Sequence, residues 1–292
     1  MLDVLTCRPM APSLKVAALQ MTSTADVETN LARAAALATE AAEAGASLIG
    51  FPENFAYLGS DVDHRLSIAE ELPAADLKAR EGGPILSAMQ ALARQTKAWL
   101  LLGGFPERAA TPAHIRNTSV LLRADGSVAA VYRKIHLFDV DVPGGKRFRE
   151  SETVEPGADL VVAETPWAPL GLTICYDLRF PELYRALTAR GARLLAVPSA
   201  FTLETGKDHW SVLLRARAIE NQAFLFAPAQ FGHHGGNRRS WGHAMVIDPW
   251  GAVLAECGDH EGFALAPVDF AYQDSVRTSL PCLTHRKVGG GA

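Results

Sequence analysis

The sequence predicts a single α/β domain: an α-β-β-α sandwich with two mixed sheets face to face and helices on the outer faces. Three observations point there. Strand-like and helix-like segments recur along the whole chain. Two pairs of apolar runs read as antiparallel hairpins, which a purely parallel sheet would not use. No stretch rich in Pro, Ser or charge divides the 292 residues, a length able to bury one large core. The domain is expected over residues 13–286. Residues 1–12 and 287–292 are expected as flexible tails, with Met10 an alternative start and Gly289-Gly290-Gly291-Ala292 disordered.

The elements follow in order. Residues 14–21 alternate and read as a strand. Residues 26–44 read as a helix, with Leu31, Ala35, Ala38 and Ala42 at helical spacing and Gly45 as its stop. Residues 47–51 form a short buried strand ending at Pro52-Glu53. A helix over 83–97 opens with Pro84 in its first turn. A strand over 99–103 follows. Residues 117–123 and 128–134 flank Ala124-Asp125-Gly126-Ser127, a hairpin signal. Then come a strand over 170–175, a helix over 181–190, a strand over 193–197, a helix over 208–221 and an apolar run over 223–229. Residues 243–248 and 252–256 form a second hairpin across Pro249-Trp250-Gly251, and 262–269 is the last strand.

Composition narrows the function classes. Hydrophobic residues make up 48% and charged residues 21%, ordinary for a globular protein. A net charge of −4 leaves no basic footprint for nucleic acid. No window approaches the roughly 20 apolar residues of a membrane span, and residues 1–12 lack a secretory apolar core. Cys7, Cys175, Cys257 and Cys282 lie far apart, without zinc-like spacing. We expect no disulfide framework, no metal, no cofactor and a cytoplasmic location. His233-His234 lacks a third metal ligand.

The chemistry gathers at three strand ends. Glu53 follows Phe51-Pro52, Lys134 stands in Tyr132-Arg133-Lys134-Ile135-His136-Leu137, and Cys175 stands in Ile174-Cys175-Tyr176-Asp177 just before a helix. Ligand crevices of α/β folds gather at strand ends. A thiol, a carboxylate base and a fixed cation are the parts of acyl transfer through a thioester. The N–H near Tyr176 is a second candidate oxyanion donor. Each residue alone has an ordinary reading: a buried thiol packing as a small hydrophobe, a cap, a solvated charge.

Together, in this order, the three motifs resemble the nitrilase superfamily of carbon–nitrogen hydrolases. The likeness runs over about residues 14–286. It implies a Glu-Lys-Cys triad with Glu53 as general base, Lys134 as oxyanion stabiliser and Cys175 as nucleophile. It also implies that Glu150, in Phe148-Arg149-Glu150-Ser151, orients the lysine and the substrate. Tyr176-Asp177-Leu178-Arg179-Phe180-Pro181-Glu182-Leu183 resembles the Nit-type amidases. So do His136-Leu137-Phe138-Asp139-Val140-Asp141-Val142-Pro143-Gly144, the 209–222 segment and Trp241-Gly242-His243.

The resemblance implies hydrolysis of a linear amide carrying a 2-oxo acid. Gly232-His233-His234 with Arg238-Arg239-Ser240, and the ending Leu280-Pro281-Cys282-Leu283-Thr284-His285-Arg286, resemble the branch that hydrolyses deaminated glutathione. The alternatives are ω-amidase action on 2-oxoglutaramate, another carbon–nitrogen hydrolase such as an N-carbamoyl amidase, or a non-catalytic scaffold. A 2-oxo carboxylate calls for a cation, and arginine binds carboxylate in bidentate fashion. Arg179 is the first candidate, with Tyr57, Thr202 and His209 as further substrate contacts. His136 and His209 also suit hydrogen-bonded support. The helix through 210–222 is expected to pair copies into a homodimer or larger homo-oligomer, as in nitrilase relatives.

Overall fold

The computed structural model describes residues 14–72, 82–142 and 146–288. The expectations for Met10, Cys7, residues 1–13, Pro143-Gly144 and residues 289–292 lie outside the described residues.

The larger sheet has eight strands. Its order is Arg239–Trp241, Ala229–His233, Leu14–Met21, Leu48–Gly50, Trp99–Arg108, Ile115–Leu122 and Val128–Arg133. Gly262–Val268 pairs antiparallel along Leu14–Met21 from Leu14 to Gln20. The smaller sheet runs Val253–Glu256, Met245–Ile247, Phe224–Ala227, Leu194–Ala196, Leu170–Leu172 and Val162–Ala163. A separate ribbon joins Asp139–Val142 to Lys146–Arg149.

Two apolar cores hold these layers together. One fills the space between the sheets and continues under the helices Pro181–Ala189 and Leu203–Asn221, taking in Val16, Ala18, Leu172, Leu195, Trp210 and Leu214. The other lies under Val27–Glu43 and Pro84–Thr96 and takes in Ala17, Leu19, Ile49, Leu100 and Met89. The layers therefore stack as helix, sheet, sheet, helix, as expected.

Several boundaries move, each for a physical reason. In Leu14–Met21 only Lys15 is exposed. The alternation sorts side chains between two cores rather than between core and solvent. The buried face of Val27–Glu43 is Asn30, Ala34, Leu37, Ala38 and Ala41; Leu31, Ala35 and Ala42 lie on its edge. The helix expected from residue 208 begins at Leu203, because the Thr202 side chain caps Thr205 N. The apolar run over 223–229 is two strands in two sheets. Phe224–Ala227 belongs to the smaller sheet and Ala229–His233 to the larger, and Pro228 between them has no N–H for either ladder. The strand expected to reach Cys175 stops at Leu172, and Cys175–Arg179 is a 3-10 turn. The helices Val62–Ser67 and Phe270–Ser279 and the Asp139–Val142 ribbon were not anticipated.

The strand expected to end at Gly103 continues to Arg108 through a shift of register between Leu102 and Phe105. Gly104 sits in that bulge at φ 62°. A Cβ there would collide with Asn54 N and lie 2.9 Å from Glu53 Cγ. The bulge thus makes room for the Glu53 turn. Gly104→Ala is expected to lower unfolding free energy by about 1–3 kcal/mol and to cut kcat, checked by denaturant melts alongside amide turnover. Full activity in a stable Gly104→Ala protein would contradict this reading of the bulge.

Candidate active site

Three strands, two from the larger sheet and one from the smaller, deliver the site. Glu53 follows Leu48–Gly50, Lys134 follows Val128–Arg133, and Cys175 follows Leu170–Leu172 across the interface between the sheets. All three side chains line one cavity of about 700 Å³, together with Glu150, Tyr176, Arg179 and Thr202.

Lys134 is 2% exposed. Its Nζ lies 2.9 Å from Glu53 Oε1 and 2.8 Å from Glu150 Oε2. The Asn117 amide donates to both carboxylates, at 2.9 Å to Glu53 Oε1 and 2.9 Å to Glu150 Oε1. Phe138 N–H donates to Glu150 Oε2 at 2.7 Å, and Ala200 N–H to Glu53 Oε2 at 3.2 Å. Gln230 fixes the Glu53 backbone carbonyl at 3.1 Å. Burying charges costs several kcal/mol per ion unless every partner is supplied; here two carboxylates share one ammonium, one amide and two backbone donors.

The protonation states follow. Burial opposes ionisation of Glu53. The Lys134 charge and hydrogen bonds from Lys134, the Cys175 thiol and Asn117 outweigh it and hold the carboxyl below its ordinary value. Burial likewise disfavours the charged Lys134, but Glu150, Glu53 and Cys175 together push its ammonium above the ordinary lysine range. Burial and the Glu53 charge push the Cys175 thiol well up, against the pull of Lys134. At rest the site holds a carboxylate, an ammonium and a neutral thiol. The thiol must lose its proton as it attacks, and Glu53 is in hydrogen-bond reach to take it.

Cys175 is held in strain. Its φ is 47°, a left-handed conformation uncommon for a residue with a side chain, and its N–H donates to Pro198 O at 2.9 Å. Asp177 secures the turn. Fully buried, it accepts from Ile174 N at 2.8 Å, Tyr132 OH at 2.6 Å, His136 N at 3.2 Å and His136 Nδ1 at 2.7 Å. The nucleophile turn is thereby tied to the strand that carries Lys134. The first N–H groups of a helical turn lack intrahelical partners, and Tyr176 stands at that position in Cys175–Arg179.

The remaining expected contacts divide. The Arg179 guanidinium lies 5.2 Å from the Phe201 ring and 3.3 Å from His209 Nδ1, and it makes no ion pair with Asp177 or Glu182. His209 itself is exposed on its helix and supports Arg179. Thr202 lines the cavity while capping Leu203–Asn221. Tyr57 does not line it. Its hydroxyl donates to Asp61 O at 2.9 Å, so it shapes the wall from behind, a correction to its expected place at the substrate. His136 stacks on Phe180 at 3.7 Å. Asn117 and Ala200 were missed. An asparagine in the buried strand Ile115–Leu122 was the one available signal for the first; a backbone donor leaves no trace in sequence. Among the described residues, no three His, Cys, Asp or Glu side chains gather to hold a metal ion.

This geometry agrees with what the chain is similar to. Residues 15–278 match the carbon–nitrogen hydrolase family model. A deaminated glutathione amidase from Synechocystis is 45% identical over 280 residues, 95% of this chain and 99% of that protein. The crystal structure of the C. elegans NitFhit protein superposes with TM-score 0.86 and 40% identity over 94% of this chain; the chain spans 65% of that longer protein. Saccharomyces cerevisiae Nit3, of the nitrilase superfamily, superposes with TM-score 0.79 and 30% identity over 92% of this chain and 94% of its own. The chain belongs to the carbon–nitrogen hydrolase family, within the nitrilase superfamily, and is an amidase.

Asn117→Ala removes two hydrogen bonds to charged groups, each worth about 1.5–3 kcal/mol, and is expected to lower kcat at least tenfold in steady-state assays. Wild-type rates in this variant would remove Asn117 from the site's support. Because the folded-state value of Glu53 is depressed, its carboxylate persists above the ordinary value of 4.5 and is lost only below it. A kcat/KM profile against pH should therefore keep its plateau through the histidine range near 6.5 and fall on the acid side only below about 4.5. A step near 6.5 would point to an imidazole base instead.

Proposed function

We propose that this chain hydrolyses deaminated glutathione to 2-oxoglutarate and cysteinylglycine through a Cys175 thioester. The observation that carries the reading is the sharing of Lys134 Nζ by Glu53 and Glu150 beside the Cys175 thiol in one cavity.

As Sγ attacks the amide carbonyl, Glu53 takes the thiol proton. The oxyanion is met by the Lys134 ammonium and the Tyr176 N–H. Collapse breaks the C–N bond, and the Glu53 proton goes to the departing amine. Water then attacks the thioester with Glu53 as base again, and the proton returns to the Cys175 sulfur as 2-oxoglutarate leaves. Every charge that forms does so against a partner already in place. Glu150 keeps Lys134 oriented, since Lys134 would otherwise be free to collapse onto Glu53 alone.

Substrate choice rests on two supports. The 45% identical Synechocystis relative is named for deaminated glutathione, and Arg179 lines the cavity with a guanidinium suited to the 2-oxo carboxylate. The exposed Val212 (67%) and Ile219 (48%) on Leu203–Asn221 support pairing of copies through this helix. Free thiols at Cys175, Cys257 and Cys282 suit a reducing cytoplasm. No helix among the described residues is long and apolar enough to cross a membrane.

The test is kcat/KM on deaminated glutathione and on 2-oxoglutaramate. Deaminated glutathione should be preferred, and Cys175→Ala should abolish turnover of both without loss of fold by circular dichroism. Preference for 2-oxoglutaramate would make the enzyme an ω-amidase with the same chemistry. Carbon dioxide release from an N-carbamoyl compound, with neither amide turned over, would move the substrate class altogether.

A further inference from the structure

Besides Arg179, five arginines line the same cavity: Arg65, Arg147, Arg149, Arg238 and Arg239. Arg65 lies on the short helix Val62–Ser67, and Arg238 lies in the turn between Ala229–His233 and Arg239–Trp241. The segments carrying them are firmly placed. Arg65 donates to Asn54 Oδ1 at 3.4 Å, next to the base Glu53. The Arg238 turn is closed by His234 N–H to Arg238 O at 3.0 Å and Arg238 N–H to Gly235 O at 3.2 Å. It is anchored by buried His234, whose Nδ1 donates to Ser23 O at 2.8 Å. Burial keeps that imidazole neutral, with its pKa lowered to about 4.

Neither guanidinium has a hydrogen-bonded carboxylate among the described residues. Of the other cavity arginines, Arg149 is hydrogen-bonded to Asp141 at 3.0 Å and Arg147 lies 3.9 Å from it, while the exposed Arg239 has no hydrogen-bonded carboxylate among the described residues. Arg65 and Arg238 line the same cavity, and the charge of Arg65 acts on Arg238. Desolvation and then the Arg65 charge lower the Arg238 pKa, although the residue as a whole is exposed to solvent, which screens both effects. Glu53 and Glu150 act the other way on both guanidinium groups. Two like charges held together over a cavity are a cost unless an anion joins them.

Position says which anion. Glu53 gives its proton to the departing amine, so the amine half of the substrate lies on the Glu53 side. Arg65 is bonded to Asn54, the neighbour of Glu53, and the charges of Arg65 and Glu53 both act on Arg238. Arg179 belongs to the nucleophile turn and packs on Phe201 and Tyr176 instead. We propose that Arg65 and Arg238 form a clamp for a carboxylate on the leaving amine, making this amidase selective for amides with an acid group at each end. The clamp rests on the deaminated glutathione reading and deepens it. Deaminated glutathione carries a terminal glycine carboxylate on its leaving half; 2-oxoglutaramate releases only ammonia.

The experiment compares deaminated glutathione with its glycinamide form, in which that carboxylate is a carboxamide of the same size. In wild type the acid should be preferred in kcat/KM by on the order of 10–100-fold, the range of one or two charge-assisted hydrogen bonds. In Arg238→Met and Arg65→Met the preference should shrink to about threefold or less, chiefly through KM for the acid. Arg238 is on an exposed turn, so its replacement does not threaten the core. Equal use of acid and glycinamide by wild type, or an unchanged preference in both variants, overturns the clamp and leaves the substrate assignment standing. Calorimetric titration of the Cys175→Ala protein with both compounds separates the remaining cases. Tighter binding of the acid supports the clamp even where turnover is slow. Binding of neither form contradicts the clamp and the deaminated glutathione reading together.

Discussion

The structure depends on one buried ammonium. Lys134 lies between Glu53 and Glu150, out of water, and its charge decides the state of everything around it. Without it, two carboxylates bridged by one amide would repel each other in a medium of low dielectric. With it, one carboxylate can remain an ionised base beside a thiol that stays neutral. In the proposed mechanism the same ammonium meets the oxyanion. There this residue makes the base usable and stabilises the charge formed during attack, while burial and the Glu53 charge keep the thiol protonated against its pull.

The fold supplies what this charge requires. Glu53 and Lys134 leave the ends of strands in one sheet, while Cys175 leaves a strand of the other, so the three side chains come together only where the two sheets meet. That seam is fixed from several directions. Asp177 ties the cysteine turn to Tyr132 and His136. Pro198 O holds the strained Cys175 N–H. Ala200 N–H reaches across to Glu53. The strain at Cys175 and the bulge at Gly104 are local costs offset by two large apolar cores. The absence of slack matters, because acyl transfer loses rate steeply when reacting atoms are misplaced by about 1 Å.

Much of this was legible in the residues. The βα rhythm and the hairpins gave the layered class, and the strand-end positions of Glu53, Lys134 and Cys175 put the chemistry in one place. Segments whose local signal was weak or misleading were misread. Pro228 divides one apolar run between two sheets, which periodicity alone cannot reveal. Cys175 follows an apolar run that looks like continuous strand, yet the strand stops at Leu172 and a positive φ at Cys175 itself turns the chain. The helix Leu203–Asn221 starts early because Thr202 caps it. Support for the site was the least visible part. Asn117 looks like any polar residue in a strand, and the backbone donors of Phe138 and Ala200 depend on tertiary placement. Tyr57 shows the opposite error, a plausible pocket residue whose hydroxyl is used by Asp61 O.

The central claim is that catalysis passes through one acyl-Cys175 species. Added hydroxylamine tests it most directly, by competing with water for that species. Deaminated glutathione and 2-oxoglutaramate carry the same acyl group, so a shared thioester must divide between hydroxamate and 2-oxoglutarate in the same ratio from either substrate. The account predicts identical ratios at every hydroxylamine concentration and no hydroxamate from the Cys175→Ala protein. Ratios that differ between the two substrates, or a Cys175→Ala protein that still forms product, would contradict it.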